Sequence, residues 1–255
     1  VGRKVARTPE DYAREAMLAV EQGFDAVKID YLMYREDGSR YRDTEQTGLL
    51  SPERMELLET RIAATREAIG PKVDIILENH CYTDAQSSIQ LARAVEEYNI
   101  YFFEEPNTPT PQTTKFICDN INIPVAHGER IISRWEYAQY FKDNSIQIIQ
   151  PDMGNNGGIT ETKKICDLAY IYDVGVQIHT CGSHLMTPAA LHLEAVIPNF
   201  VIHEHHVISQ WSDYIWMTDR TFNPVNGYFE IPESPGIGIE WSEEALACEE
   251  QISFT

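Results

Sequence analysis

Three apolar runs in this sequence each end on a carboxylate. They are Ile75-Ile76-Leu77-Glu78, Tyr101-Phe102-Phe103-Glu104 and Pro124-Val125-Ala126-His127-Gly128-Glu129, and the three acids stand 26 and 25 residues apart. Two carboxylates about 4 Å apart repel by roughly 4 kcal/mol at an effective dielectric of 20. If the three acids meet, a cation or a proton must lie between them. Hard oxygen ligands with water in the remaining positions suit Mg²⁺. The alternative is three unrelated strand-end acids, each serving its own loop.

The elements that carry these acids follow from the spacing. Short apolar runs bounded by Gly, Pro or Asn read as buried strands. About 20 residues between strand ends leave room for one helix and two turns, the repeat of a parallel βα sheet. The pattern predicts strands at 24–30, 73–78, 100–104, 124–127, 146–150, 176–179 and 200–204. Helices are expected between them, the first opened by Thr8-Pro9-Glu10 and the second by Ser51-Pro52-Glu53. Parallel strands joined by helices commonly close at eight. Seven strands after an initial helix predict a TIM-type (β/α)7β barrel that lacks its first strand in this chain. The expected division is a catalytic barrel over residues 1–206 and an irregular C-terminal segment over 207–255 that packs on the barrel. The polar stretch from Tyr31 to Leu50 is long enough to be a functional loop.

The polar residues at the strands' C-terminal ends form one rim: Lys28 and Asp30, Glu78 and His80, Glu104, Glu129, Asp152, His179, and Glu204. That rim is where barrels build chemistry. Side chains alternate along a strand, so Lys28 shares a face with Asp30 and Glu78 with His80, while Asn79 and Glu105 point away. His203, His205 and His206 read as loop or interface residues. A zinc site made from His80, Cys81, His179 and Cys181 lacks ligand spacing.

Composition narrows the function classes. The net charge is −20, which argues against nucleic acid or an anionic membrane as partner. The five scattered cysteines have no CxxC spacing, so a reducing cytoplasm is expected rather than a disulfide framework. No apolar run approaches 18 residues.

The ordered motifs give more. The Lys-x-Asp strand, Glu78-Asn79-His80, Phe102-Phe103-Glu104-Glu105-Pro106, His127-Gly128-Glu129-Arg130, the run from Gln150 through Glu161, and the later His179 and Glu204 together resemble the enolase superfamily. Within it they look most like the mandelate racemase branch and its acid-sugar dehydratases of the galactonate/gluconate type. The resemblance spans roughly residues 8–240 and implies an N-terminal capping domain, absent from this chain, on which the 207–255 segment also packs. It implies Mg²⁺ ligands at Glu78, Glu104 and Glu129, with Glu78 standing where the branch usually has Asp. It implies His179 with Asp152 as general base, His80 as the acid that protonates the departing hydroxyl, and Glu204 as a hydrogen-bond partner of the enolate oxygen. Lys28 has a catalytic place, and Arg130 and Asp30 are expected to hold substrate. The implied reaction dehydrates a sugar acid to a 2-keto-3-deoxy acid through an enediolate, and a homo-oligomer is implied as well. Asp30 occupies the place of the second lysine of racemases, which favours dehydration. A racemase or epimerase, or a catalytically silent ligand-binding barrel, are the alternatives.

Overall fold

A computed structural model describes residues 5–206 and 211–248 of the chain. The sequence expectation for 207–255 therefore lies partly outside the described residues. The chain alternates α1 (Pro9–Glu21), β1 (Ala26–Asp30), α2 (Pro52–Ile69), β2 (Asp74–Glu78), α3 (Ala85–Val95), β3 (Ile100–Glu104), α4 (Pro111–Cys118), β4 (Val125–His127), α5 (Arg134–Phe141), β5 (Ile148–Ile149), α6 (Ile159–Ile171), β6 (Gly175–Val176) and α7 (Met186–Glu194). All the strands are parallel and neighbours in sequence are neighbours in space, in the order β1 to β6. This is the α/β barrel-like core that the sequence predicts.

The helix starts follow their local chemistry. Thr8 and Asp11 form a reciprocal capping box ahead of Pro9. The Ser51 hydroxyl accepts the Arg54 N–H at the start of α2, and Asp84 takes two amide donors at the start of α3.

Alternation along the strands divides the core. Ile75, Leu77 and Phe103 pack outward with Leu58, Ile62 and Leu91 of the helices. Ile76, Phe102, Ala126 and Ile148 face inward and fill the barrel centre. Each fully buried side chain of this size contributes about 1.5–3 kcal/mol. Glu78 and Glu104 lie two residues beyond Ile76 and Phe102, so they stand on the same inner face as the next layer up. Their register is direct: Asp30 pairs with Glu78, and Glu78 with Glu104.

The later strands are shorter than predicted. Pro151 has no N–H to continue the ladder after β5, and beyond β6 only the Asp152–His179 bridge persists. The strand expected at 200–204 reduces to one bridge between Val176 and Phe200. Past that point side-chain bonds replace ladder bonds: the Thr180 N–H donates to Glu204 Oε2 at 2.7 Å. The free edge of β1 and the 200–204 segment flank a cavity of about 1540 Å³ that runs to the carboxylate rim. Lys28 reaches across it from β1 to Glu204.

The loop after β1 is anchored from below. Arg61 of α2 is fully buried and donates to the carbonyls of Tyr31 and Tyr34 at 2.7 and 2.8 Å. Arg54 donates to the Leu32 carbonyl. Tyr41 lies against two guanidinium groups, Arg35 and Arg54. From 211 to 248 the chain has only short helices, α8 (Ser212–Ile215) and α9 (Glu243–Ala247), and isolated bridges.

Candidate active site

Six carboxylates and three bases meet at the rim. Lys28 Nζ lies 2.5 Å from Glu104 Oε1 and 3.5 Å from Glu78 Oε2, and also contacts Glu204. Burial works against the ammonium, but these three anions outweigh it and raise the Lys28 pKa well above its ordinary value. Burial likewise pushes Glu78 up to about 7 against the pull of Lys28. It raises Glu104 well above the carboxylate range, with the charge of Glu78 acting the same way. Glu204 is also buried, yet Lys28 and His179 hold it at about 2.

Two histidine–carboxylate pairs flank this cluster. His179 Nδ1 lies 2.7 Å from Asp152 Oδ2, and its Nε2 lies 3.0 Å from Glu129 Oε2. A carboxylate only accepts, so Nδ1 carries the proton. Burial alone would lower this imidazole; the bonds to Asp152 and Glu129 raise it to about 11. Glu129 is lowered in return: burial raises it, but the bond and charge of His179 prevail. The second pair is His80 Nδ1 with Asp30 Oδ2 at 2.9 Å. The Asp30 carboxylate is itself fixed, its Oδ1 accepting the amides of Leu32 and Met33 at 2.8 and 3.1 Å. The bond to Asp30 raises His80 above its ordinary value despite burial.

The local backbone explains how His80 and Asp30 meet. His80 and Cys81 both lie in the left-handed region, at φ +46° and +59°, an unusual pair for residues with a Cβ. The His80 amide donates to Glu78 Oε1 at 2.6 Å. The turn brings His80 back over its own strand end and sends Cys81 to the opposite side.

All ten residues singled out in the sequence come to this rim, and two of them already have protein partners. Asp30, expected to hold substrate, is engaged by His80 and two amides. Arg130, half-exposed, is divided between Glu105 Oε2 at 2.9 Å and Glu129 Oε1 at 3.3 Å. Glu105 points away from the rim, as alternation predicts.

The carboxylates fit a hard divalent cation. Glu104 Oε2 is buried and has no hydrogen-bond partner, and burial pushes Glu78 and Glu104 upward despite Lys28. The trio Glu78, Glu104 and Glu129 is nevertheless open, because Glu129 is drawn to His179 and Arg130. Among the described residues, the one group of three with ligand atoms within 4.8 Å of one another is Cys81, Glu105 and His127. Sequence reasoning missed that group. Alternation sends Glu105 outward, but nothing in the spacing pairs it with a cysteine and a histidine on the neighbouring strand ends. His127 is fully buried, and burial lowers it to about 3, so its imidazole is neutral.

A sequence model described as enolase C-terminal domain-like matches residues 11–245. The chain belongs to the enolase superfamily. Within the superfamily it is an acid-sugar-dehydratase-like member of the mandelate racemase/muconate lactonizing branch. It is similar to the D-xylonate dehydratase of Haloferax volcanii, at 30% identity over 93% of this chain and 57% of that one. It is also similar to the D-gluconate dehydratase of Thermoproteus tenax, at 29% identity over 94% of this chain and 46% of that one. The chain thus spans about half the length of these curated relatives. Among solved structures, an enolase-superfamily member from Salmonella Typhimurium superposes with a TM-score of 0.91 and 44% identity, covering 94% of this chain and 62% of that one. No helix among the described residues is long and apolar enough to cross a membrane.

Proposed function

We propose that this enolase-superfamily chain belongs to a Mg²⁺-dependent hydro-lyase that dehydrates a sugar acid to its 2-keto-3-deoxy product. The observation that carries the reading is the pair of histidine–carboxylate couples on either side of one carboxylate cluster. A general base and a general acid are needed on the two groups that leave the substrate, and each needs a fixed tautomer.

Glu78, Glu104 and Glu129 would hold the cation. Bound there, Mg²⁺ would supply positive charge beside a developing enediolate, and Glu129 turned toward it would leave His179 Nε2 free. His179 then removes the proton from C2, with Asp152 orienting its ring and stabilising the imidazolium. His80, held protonated on Nδ1 by Asp30, gives the proton of its Nε2 to the departing C3 hydroxyl, which leaves as water. Glu204 and Lys28, already paired across the cavity, face the substrate carboxylate end. Arg130 borders the same rim beside Glu129.

The names of the curated relatives, D-xylonate and D-gluconate dehydratase, support an aldonate as the substrate class. Asp30, two residues after Lys28, stands where racemases of this branch carry their second lysine and is engaged by His80, which disfavours the racemase alternative. The test is a panel of aldonates with MgCl₂, read by formation of 2-keto-3-deoxy acid. Turnover is expected on at least one five- or six-carbon aldonate, falling about 10²–10⁴-fold in His179→Asn. Absence of product across the panel, with substrate still bound, would instead support a silent ligand-binding barrel.

A further inference from the structure

We propose that Cys81, Glu105 and His127 form a second metal site, for a borderline divalent ion of the Zn²⁺ class, separate from the carboxylate rim. The three residues sit at successive strand ends: Cys81 follows β2, Glu105 follows β3, and His127 closes β4. Main-chain bonds tie these ends together, the Cys81 amide to the Glu105 carbonyl at 3.0 Å and the Glu105 amide to the Ala126 carbonyl at 3.0 Å. None of the three lines the cavity that holds the rim.

The hydrogen-bond inventory points to a missing electrophile. Glu105 is 1% exposed and His127 0%. Glu105 Oε2 accepts from Arg130 Nε, while its Oε1 has no partner. His127 Nε2 lies 3.2 Å from Asn107 Oδ1. The Asn107 amide is oriented by its own Nδ2 donating to the Thr108 carbonyl at 2.7 Å, so oxygen faces the imidazole and Nε2 is the protonated nitrogen. The lone pair therefore sits on Nδ1, which is buried without a partner. Two residues of the group thus each hold a buried acceptor without a partner, and the third, a thiol, has a single weak donor to offer. Leaving a buried acceptor unsatisfied is unfavourable, and a metal ion would satisfy both at once.

The donor set selects the ion. One sulfur, one imidazole nitrogen and one carboxylate oxygen, with water in the fourth position, is a tetrahedral arrangement that suits Zn²⁺ over Mg²⁺ or Ca²⁺. Each outer atom that does not ligate is already held, Glu105 Oε2 by Arg130 and His127 Nε2 by Asn107, the arrangement that orients metal ligands. Bond lengths of about 2.0–2.3 Å place tetrahedral donors about 3.5 Å apart. The ligand atoms lie within 4.8 Å of one another, so side-chain rotations of the order of 1 Å complete the site. On binding, the Cys81 S–H bond breaks, a metal–sulfur bond forms, and the proton passes to solvent.

The test uses Co²⁺ as a spectroscopic probe and Zn²⁺ as its competitor, on the intact protein. A thiolate-to-cobalt charge-transfer band is expected in the near ultraviolet. It should vanish in Cys81→Ser, and the affinity should fall at least tenfold in Glu105→Gln and His127→Gln. Zn²⁺ should displace it and excess Mg²⁺ should not. Cobalt held only by the rim carboxylates gives no sulfur band, so failure of this site and failure of the rim reading are distinct results. If Cys81→Ser does not fold, the two isosteric variants carry the test. A saturated parent protein without the band, or a band that persists at unchanged affinity in Glu105→Gln and His127→Gln, overturns the proposal.

Discussion

At the scale of single residues, the rim separates two roles that a list of histidines cannot. His179 touches Asp152 and Glu129, whereas His80 touches Asp30. If His179 is the base and His80 the acid, His80→Asn is expected to lose dehydration by at least 10²-fold while still exchanging the C2 proton. Incorporation of solvent deuterium at C2 of recovered substrate is the measurement, and loss of exchange together with dehydration would reverse the assignment. Lys28 has a different importance. It faces three buried carboxylates, and removing one partner of a buried pair costs about 3–5 kcal/mol. Lys28→Met should therefore destabilise the chelated protein by about that amount, and Mg²⁺ should restore part of it. Equal denaturation midpoints with and without Mg²⁺ in this variant would place the cation elsewhere.

At the scale of elements, the strand ends decide the site more than the helices do. Glu129 lies two residues beyond the end of β4 and is placed by Gly128. A Cβ on Gly128 would lie 2.1–2.3 Å from the backbone of Gln150, so no other residue lets β4 pass so close to the chain after β5. Gly128→Ala is expected to push these segments apart, destabilise the fold by about 1–3 kcal/mol and weaken Mg²⁺ binding at least tenfold. Urea denaturation and Mg²⁺ titration calorimetry read the two effects. Unchanged Mg²⁺ affinity would show that Glu129 is not a ligand. The loop after β1 is similarly placed from outside itself, since the fully buried Arg61 spans three of its carbonyl-bearing neighbours, Arg7, Tyr31 and Tyr34.

At the scale of the whole molecule, buried titratable groups set the response to acid. His127 is held neutral at about 3 and His205 at about 4, in both cases first by burial. An unfolded histidine takes its proton near pH 6.5. The stability these residues contribute is therefore complete above about pH 6.5 and is lost as pH falls toward their folded values. The slope is about 1.4 kcal/mol per pH unit for each histidine. Chelated protein should show this limb between about pH 6.5 and 4 in denaturation midpoints, and His127→Gln should flatten it by about half. An unchanged limb in that variant would mean that other groups govern acid unfolding. The net charge of −20 adds self-repulsion that a bound cation reduces.

The order and type of elements were determined by the sequence alone. Apolar runs of four to six residues with helical stretches between them permit few arrangements besides a parallel βα sheet, and a carboxylate at the end of such a run has to stand at the sheet's rim. Alternation also sufficed to turn Glu105 away from Glu104. The tertiary structure decided the partnerships. Which carboxylate faces His80 depends on two left-handed residues after β2, and which acids surround Lys28 depends on a segment 176 residues away, at Glu204. The shortening of the strand expected at 200–204 depends on what lies beside it, because a ladder needs two sides and Glu204 bonds Thr180 instead. The meeting of Cys81, Glu105 and His127 is of the same kind: nothing in their spacing pairs them, and only the register of three neighbouring strands brings them together.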